Sequence, residues 1–583
     1  MKKTILTLLT FITLQPTVMA QHDTIQLRII GTSDVHGCFF PYDFINRKPL
    51  KGSLARVVSY VDSLRNTYGD RLILLDNGDI LQGQPSCYYA NYVKPERPNV
   101  AAKVVNYMKY DAQTVGNHDI ETGHAVYDKW ISEVKCPMLG ANVIDVNTQK
   151  PYLQPYTILH KGGIKVAVLG LITPTIPFWL TESIWSGMAF EDMVVSARRW
   201  MDVIRRDEKP DVVIGLFHSG WNGGIVADGQ IENATETVAG QVPGFDLIVY
   251  GHDHISNAAE CINAHGQGVV CLNPSANARM ITDATITVTT DDRGNVTGKK
   301  VEGRVVNTDD LPVSEHFMKH FTPDIDSVRT FVDRKIGEFD TAISSRDSYF
   351  GSSAFNDFIH NIQLKVTHAD VSFNAPLNFN ARIDAGPVYV GDLFKLYRYE
   401  NTIYTMRLTG KEIRQYLEMS YGLWVNTMKS KDDHIILLDL KTYNDKQRMG
   451  FKNLSFNFDS AAGIDYLVDV TKPAGQRITI LHMSNGEPFD EKKDYKVAIN
   501  SYRGNGGGEL LTLGAGIGKA ELRKRIIAET PRDQRHYIMK EIEDAKVVSP
   551  KANDNWRFVP EEWAIPAIER DKQILFGNQQ REE

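Results

Sequence analysis

A chain of 583 residues is too long for one ordinary core and reads as two or three domains. Hydrophobic residues make up 42% and charged residues 23%, the balance of a folded, water-soluble protein. A net charge of −7, with no basic stripe interleaved with aromatics, excludes a nucleic-acid polymer as partner.

The first twenty residues read as an export signal. Lys2-Lys3 precede an apolar run from Ile5 through Leu14, and Val18-Met19-Ala20 stand before Gln21. Cleavage near Ala20 is expected to leave a periplasmic or secreted protein. The run is too short to span a membrane, no later stretch of 18 apolar residues exists, and no Cys follows the cleavage point to carry a lipid.

Five apolar runs then each deliver polar, metal-binding side chains at their carboxyl ends. Ile25–Ile30 leads into Asp34 and His36, Leu72–Leu75 into Asp79, and Ala112–Val115 into Asn117. Val212–Phe217 ends at His218, and Leu247–Tyr250 leads into His252 and His254. Each reads as a buried strand followed by a short, often Gly-bearing turn. Helical stretches lie between them, such as Val100–Tyr110 and Glu191–Arg206, so this half alternates strand and helix as layered α/β proteins do. In open sheets of that kind ligands bind beyond the carboxyl ends of the strands. Carboxylate, amide oxygen and imidazole without thiolate suit Mn²⁺, Zn²⁺, Fe²⁺ or Co²⁺, and seven ligands fit two ions with Asp79 bridging. Two such ions can activate water and clamp a phosphoryl oxygen, which points to phosphoester hydrolysis.

The ordered set Asp-x-His, Gly-Asp, Gly-Asn-His-Asp, a lone His after a strand and Gly-His-x-His resembles the calcineurin-like metallophosphoesterases. The resemblance implies a four-layer α/β/β/α domain. It implies that Asp34, His36, Asp79 and His254 hold one divalent ion, and that Asp79, Asn117, His218 and His252 hold the other. It also implies that His118 lies beside the phosphate, where an imidazole that changes charge near neutrality can protonate the leaving oxygen. Glu121 stands at the spacing of the carboxylate that orients this His in the 5′-nucleotidase branch; Asp119 is its rival.

Asp292-Arg293-Gly294-Asn295 reads as the turn that ends the strands of the first domain, set at residues 21–312. Charged helical sequence at 313–345 reads as a linker, and new strand and helix signals fill 346–548, followed by a tail at 549–583. Cys261 and Cys271 flank a turn-like stretch and could bridge two strands, whereas Cys38 reads as packing. The segment 424–450 reads as an insertion or edge hairpin.

The second half resembles the C-terminal domain of the 5′-nucleotidase and cyclic-nucleotide phosphodiesterase family. The resemblance rests on segments such as Ser353–His360, Asp392–Thr402, Leu408–Ile413 and Asn500–Gly508. It implies a second α/β domain in which Tyr399 and Tyr502 clamp a nucleotide base, stacking being worth about 1–3 kcal/mol and tolerant of different bases. Tyr397 is a weaker alternative to Tyr399, because strand alternation would point both to one face. Arg503 and the glycines Gly504, Gly506, Gly507 and Gly508 complete the expected substrate-binding set, the glycines by letting backbone amides approach the ligand. The helix from Ser353 lacks the arginines of the 5′-nucleotidase branch, and Asn378–Arg382 has altered spacing. Asp76–Pro85 and Gly170–Trp179 are most similar to the 2′,3′-cyclic-nucleotide 2′-phosphodiesterase and 3′-nucleotidase branch. The expectation is an exported monomeric hydrolase of small nucleotides that scavenges nucleosides and phosphate. The alternatives are a 5′-nucleotidase or nucleotide-sugar hydrolase and, against the full ligand set, a nucleotide-binding protein without catalysis.

Overall fold

A computed structural model describes residues 23–227, 229–443 and 448–577. The predicted signal peptide at 1–20 lies outside the described residues.

In the first half two six-stranded sheets lie face to face. One runs in the order Val296–Asn307, Met280–Thr290, Asp23–Thr32, Leu72–Asp76, Ala112–Thr114, Met138–Leu139. The other runs Ser256–Ile262, Gly268–Pro274, Leu247–Tyr250, Val212–His218, Ile164–Ile172, Tyr156–Lys161. The central strands are parallel, as is the edge strand Met138–Leu139, whereas Met280–Thr290, Val296–Asn307, Ser256–Ile262 and Tyr156–Lys161 pair antiparallel. Side-chain alternation explains the continuous apolar runs: Leu27, Ile29, Ile73, Leu75, Val166 and Leu216 fill the space between the sheets, while Ile30, Leu72 and Leu74 face the outer helices. Helices Leu54–Tyr68, Val100–Met108 and His124–Glu133 cover the first sheet, and Met193–Val203 and Thr235–Gln241 cover the second. The result is the expected four-layer α/β/β/α arrangement.

Local chemistry sets the helix ends. Asn99 accepts a hydrogen bond from the Ala101 amide, 2.9 Å, and Lys109 turns left-handed with φ 55°, so the expected helix stops at Met108. Asp192 caps the next by accepting from Val195, 2.9 Å, which starts it at Met193 rather than Glu191.

Several expectations are corrected by packing. The turn at Asp291–Asn295 does not end the strands of the first half; it joins Met280–Thr290 to the antiparallel strand Val296–Asn307. The linker helix, Glu315–Val332, places Phe317, Phe321, Ile325, Val328 and Val332 into the outer core of the first sheet, so it belongs to that layer. Five apolar residues at three- and four-residue spacing form a buried stripe rather than a solvated spacer. The tail contributes strand Trp556–Val559, parallel to Ile464–Asp469, and helix Glu561–Phe576, which buries Ala564, Ala567 and Leu575. The insertion is held in place too: Met428, Ile435, Ile436 and Phe451 are buried, and Asp571 of the last helix accepts from the Ile435 and Ile436 amides at 2.8 and 2.9 Å. All five cysteines are free. Cys261 pairs with Val269 and Cys271 with Ala259, so the two thiols are diagonal neighbours on adjacent strands rather than partners.

The second half is a separate α/β domain. Its five-stranded sheet runs Ser460–Ala462, Val371–Asn374, Asp494–Asn500, Thr402–Thr409, Ile526–Asp533, with helices Ala354–Thr367 and Gly410–Trp424 packed on it. Arg535 fastens the halves together. Its buried guanidinium is paired with Glu400 and packs on the rings of both Tyr88 from the first half and Phe394 from the second, at 4.5 and 4.3 Å, the two rings themselves meeting edge to face.

Candidate active site

The seven predicted ligand residues converge at the carboxyl ends of the parallel strands. Asp34, His36, Asp79, His252 and His254 all carry left-handed backbone, with φ of 50°, 47°, 55°, 75° and 58°. Such conformations cost non-glycine residues roughly 1–3 kcal/mol each and persist only where surrounding bonds enforce them. Here the Asp34 amide donates to the Gly78 carbonyl and the His36 amide to the Asp79 carbonyl, both at 2.9 Å. Gly251 is required by close approach, because a Cβ there would collide with the side chains of Ser33 and Asp34.

The side chains form two groups that share Asp79. Donor atoms of Asp34, His36, Asp79 and His254 lie within 4.8 Å of one another, as do those of Asp79, His218 and His252. Asn117 joins the second group, its Oδ1 2.8 Å from His252 Nδ1 and 3.1 Å from His218 Nε2. This is the partition the family resemblance implies.

Three features fit this set to divalent cations. First, Asp34 Oδ1 and Asp79 Oδ2 are buried without a hydrogen-bond partner, although their nearest imidazoles stand at 3.3 and 3.2 Å. Two buried carboxylate oxygens left unbonded are costly unless a cation meets them. Second, His36 Nε2 and His254 Nε2 converge to 3.0 Å, two imidazole nitrogens aimed at one place beside the Asp34 and Asp79 carboxylates. Third, acceptors stand behind three of the rings: the Asn77 carbonyl 2.6 Å from His218 Nδ1, the Gln82 carbonyl 3.2 Å from His36 Nδ1, and Glu232 Oε1 2.9 Å from His252 Nε2. A carbonyl or carboxylate holds the proton on the outer nitrogen and turns the inner lone pair toward the centre. His254, 33% exposed, is the open side.

The field of the site splits its imidazoles. Burial, reinforced by His254, pushes His36 down to about 3. Burial acts the same way on His118, but the charges of Asp79 and Glu121 outweigh it and hold His118 up at about 10. The His118 amide donates to Asp79 Oδ1, 2.8 Å, and its Nδ1 lies 2.5 Å from Glu121 Oε2. With Nδ1 committed to Glu121, Nε2 is the nitrogen left to move a proton. Asp119 is engaged elsewhere, its carboxylate accepting from the amides of Gly116, Asp79, Ile80 and Leu81 at 2.8–2.9 Å. It clamps the Asp79 loop to the Asn117 turn and does not hold His118.

Of the two expected tyrosines, Tyr502 packs against the outer core of the first half, and Tyr399 packs against the second-half core that contains Phe355, Ile359 and Ile538. The strand-alternation argument for Tyr397 fails, since Tyr397–Asn401 is a loop after the short helix Leu393–Leu396; Tyr397 is buried, accepting a hydrogen bond from Asn401 at 3.3 Å.

Arg503 is corrected from ligand contact to internal brace. Its Nη1 donates to Asn457 Oδ1 (2.9 Å) and the Gly507 carbonyl (2.6 Å), its Nη2 to the Phe456 carbonyl (2.7 Å) and Asp459 Oδ1 (3.0 Å), and its Nε to Asp459 Oδ2 (3.3 Å). All five N–H groups are thereby used. The glycines serve the protein's own side chains. A Cβ at Gly507 would lie 2.5 Å from Tyr502 Cζ, one at Gly504 would strike Tyr404, and one at Gly508 would strike Arg503.

Sequence reasoning missed Glu232. It sits on the hairpin strand Gln230–Asn233, fourteen positions after His218, and its other oxygen accepts from the Ile225 amide, 2.7 Å. Nothing local marks it, because its partner His252 comes from the next strand end.

The calcineurin-like phosphoesterase family matches residues 27–256, and the 5′-nucleotidase C-terminal domain family matches residues 335–514. The chain is a calcineurin-like phosphoesterase with a 5′-nucleotidase C-terminal domain, and a metal-dependent phosphoesterase by that membership. More particularly, it is 25% identical to the 2′,3′-cyclic-nucleotide 2′-phosphodiesterase/3′-nucleotidase of Haemophilus influenzae over 92% of this chain and 88% of that protein. It is 26% identical to the enzyme of the same name from Salmonella typhimurium, over 92% and 89%. The trifunctional nucleotide phosphoesterase YfkN of Bacillus subtilis is 26% identical over 92% of this chain, which spans 39% of that longer protein. Among solved structures, the 5′-nucleotidase precursor of Thermus thermophilus shares the fold with a TM-score of 0.62 at 20% identity, over 92% of this chain and all of that one. No helix among the described residues is long and apolar enough to cross a membrane.

Proposed function

We propose that the protein is an exported hydrolase that opens 2′,3′-cyclic nucleotides and removes the remaining 3′-phosphate, releasing nucleoside and phosphate for scavenging. The observation that carries this reading is the convergence of the seven ligand residues beside His118, its Nδ1 held by Glu121, in a chain whose second half matches the 5′-nucleotidase C-terminal domain family. The relatives' names support the substrate class. Asp34, His36, Asp79 and His254 would hold one divalent ion, and Asp79, Asn117, His218 and His252 the second. When bound, the two ions supply the Lewis acidity that activates water and neutralises charge on the phosphoryl oxygens.

The chain's own residues do the rest. Glu121 accepts the Nδ1 proton of His118 and fixes the ring, which leaves Nε2 to give a proton to the departing ribose oxygen. Glu232 and the Asn77 and Gln82 carbonyls orient their imidazoles, and the tyrosine rings stack on the base. The 5′-phosphate reading loses its arginines: helix Ala354–Thr367 has none, and Arg382 is exposed and paired with Asp384 at 2.7 Å. Purified protein assayed with 2′,3′-cyclic AMP, 3′-AMP and 5′-AMP, with Mn²⁺ and with chelator, tests the proposal. Preference for the first two, abolished by chelator, is expected; preference for 5′-AMP replaces this reading with the 5′-nucleotidase one.

A further inference from the structure

The stretch that follows strand Ile164–Ile172 contributes none of the seven ligands, yet it ends against one of them. It leaves the sheet beside His218, where the Thr173 amide donates to the His218 carbonyl at 2.8 Å, and turns at once into the short helix Ile176–Trp179. Ile176 is fully buried and anchors this turn; Trp179, three residues on and 9% exposed, shares its face of the helix. The indole lies on the ring of His252, with centroids 5.5 Å apart and planes inclined at 33°. On its far side the segment is fastened to the second domain. There Glu182 pairs with Arg523, and the Lys519 ammonium sits over the Phe178 ring, both cations coming from helix Lys519–Arg525.

His252 needs such a support. Its two nitrogens are engaged within the ring plane, Nε2 by Glu232 at 2.9 Å and Nδ1 toward Asn117 Oδ1 at 2.8 Å. Contacts at the two nitrogens leave the ring able to tilt about the line that joins them. His218 meets it edge to face, 5.3 Å away at 64°, and Trp179 supplies the contact across its face. An imidazole that shares its lone pair with a cation is electron-poor, and the electron-rich face of an indole favours such a ring. The same indole covers the His252–Glu232 contact, whose strength depends on keeping water away.

We propose that Trp179 is a positioning residue for His252: its indole fixes the tilt that aims Nδ1 at the second cation site and thereby raises the affinity of that site. The inference rests on the assignment of His252 as a metal ligand and adds a residue that touches neither cation nor phosphate.

The test is calorimetric titration of the chelated full chain with Mn²⁺ in wild type, Trp179→Phe and Trp179→Leu, with the urea midpoint of each metal-free protein measured alongside. One of the two binding steps is expected to weaken about tenfold in Trp179→Leu, the scale of losing an outer partner of a ligand, and by less in Trp179→Phe, which keeps a ring face. The other step should stay as in wild type, and kcat lost at limiting Mn²⁺ should return at saturating Mn²⁺. Because Trp179 and Glu232 hold one ring, adding Glu232→Ala to Trp179→Leu is expected to weaken the site less than Glu232→Ala does alone. Wild-type affinity at both steps in a folded Trp179→Leu overturns the inference. So does an equal weakening of both steps, or full additivity with Glu232→Ala, since either reduces Trp179 to core packing. Should Trp179→Leu not fold, Trp179→Phe with and without Glu232→Ala decides by the same criteria. A wild type that binds no Mn²⁺ removes His252 as a ligand and the inference with it, whereas two intact steps in wild type and Trp179→Leu alike remove only the role of Trp179.

Discussion

Removing the carboxylate behind His252 isolates the contribution of a residue that never touches the phosphate. In Glu232→Ala the 2.9 Å contact to His252 Nε2 is lost, and the Ile225 amide on the hairpin loses its acceptor as well. Glu232 is 17% exposed and the His252 side chain 9%, so water replaces the lost partner poorly. The ring is then free to place its proton on the inner nitrogen, where a cation needs the lone pair. Loss of such an outer partner typically weakens metal binding by about 10- to 100-fold, or roughly 1.4–2.7 kcal/mol. Glu232→Gln retains an acceptor without the charge, so its affinity is expected to fall between wild type and alanine. Calorimetric titration of the chelated protein with Mn²⁺, together with metal content after dialysis, measures this directly. One of the two sites should weaken in the order wild type, Gln, Ala. Identical affinity and metal content in wild type and Glu232→Ala would refute both the role of Glu232 and the placement of a cation at His252.

Other substitutions separate bracing from binding. Arg503→Met leaves Asp459 buried without its guanidinium and is expected to destabilise the protein by about 3–5 kcal/mol in urea unfolding; a raised KM at an unchanged midpoint would instead return Arg503 to the ligand. Gly507→Ala drives a methyl group into the Tyr502 ring and should raise KM for 2′,3′-cyclic AMP as Tyr502→Ala does, by about 5- to 150-fold if stacking is worth 1–3 kcal/mol; a wild-type KM would show that this ring does not hold the base. His360, buried between Ser372 Oγ at 2.9 Å and Ser460 Oγ at 3.1 Å, is pushed down to about 3 by burial. Its folded form stays neutral while the unfolded chain takes up a proton near pH 6.5, so its contribution is complete above that pH and is lost as pH falls from 6.5 toward 3. The loss is about 2 kcal/mol by pH 5, and the difference in unfolding midpoint between pH 7.5 and 5 should shrink in His360→Gln; an equal difference in both proteins counts against it.

What the sequence made legible follows from how far each determinant reaches along the chain. A ligand at the end of an apolar run is a local statement, since strand and turn are written in consecutive residues, and all seven such residues converge. The left-handed backbone at Asp34, Asp79 and His252 was not legible, because aspartate and histidine carry no glycine-like mark of a positive φ. The helix Glu315–Val332 shows the same limit from another side. Its stripe of Phe317, Phe321, Ile325, Val328 and Val332 is written locally, but whether it spans solvent or covers a sheet depends on Val57, Val104 and Met108, more than two hundred positions away. Arg503 looked like a substrate contact because its neighbours match a ligand-binding motif, while its partners at Phe456, Asn457 and Asp459 lie over forty residues earlier. Glu232 is the extreme case, a carboxylate on an edge hairpin whose purpose exists only once His252 is brought beside it. A reading based on residue type and spacing therefore finds the groups that would touch the ions and misses those that hold such groups in register. The held geometry is what separates two tautomers of the same imidazole, and so a centre that can bind a cation from one that cannot.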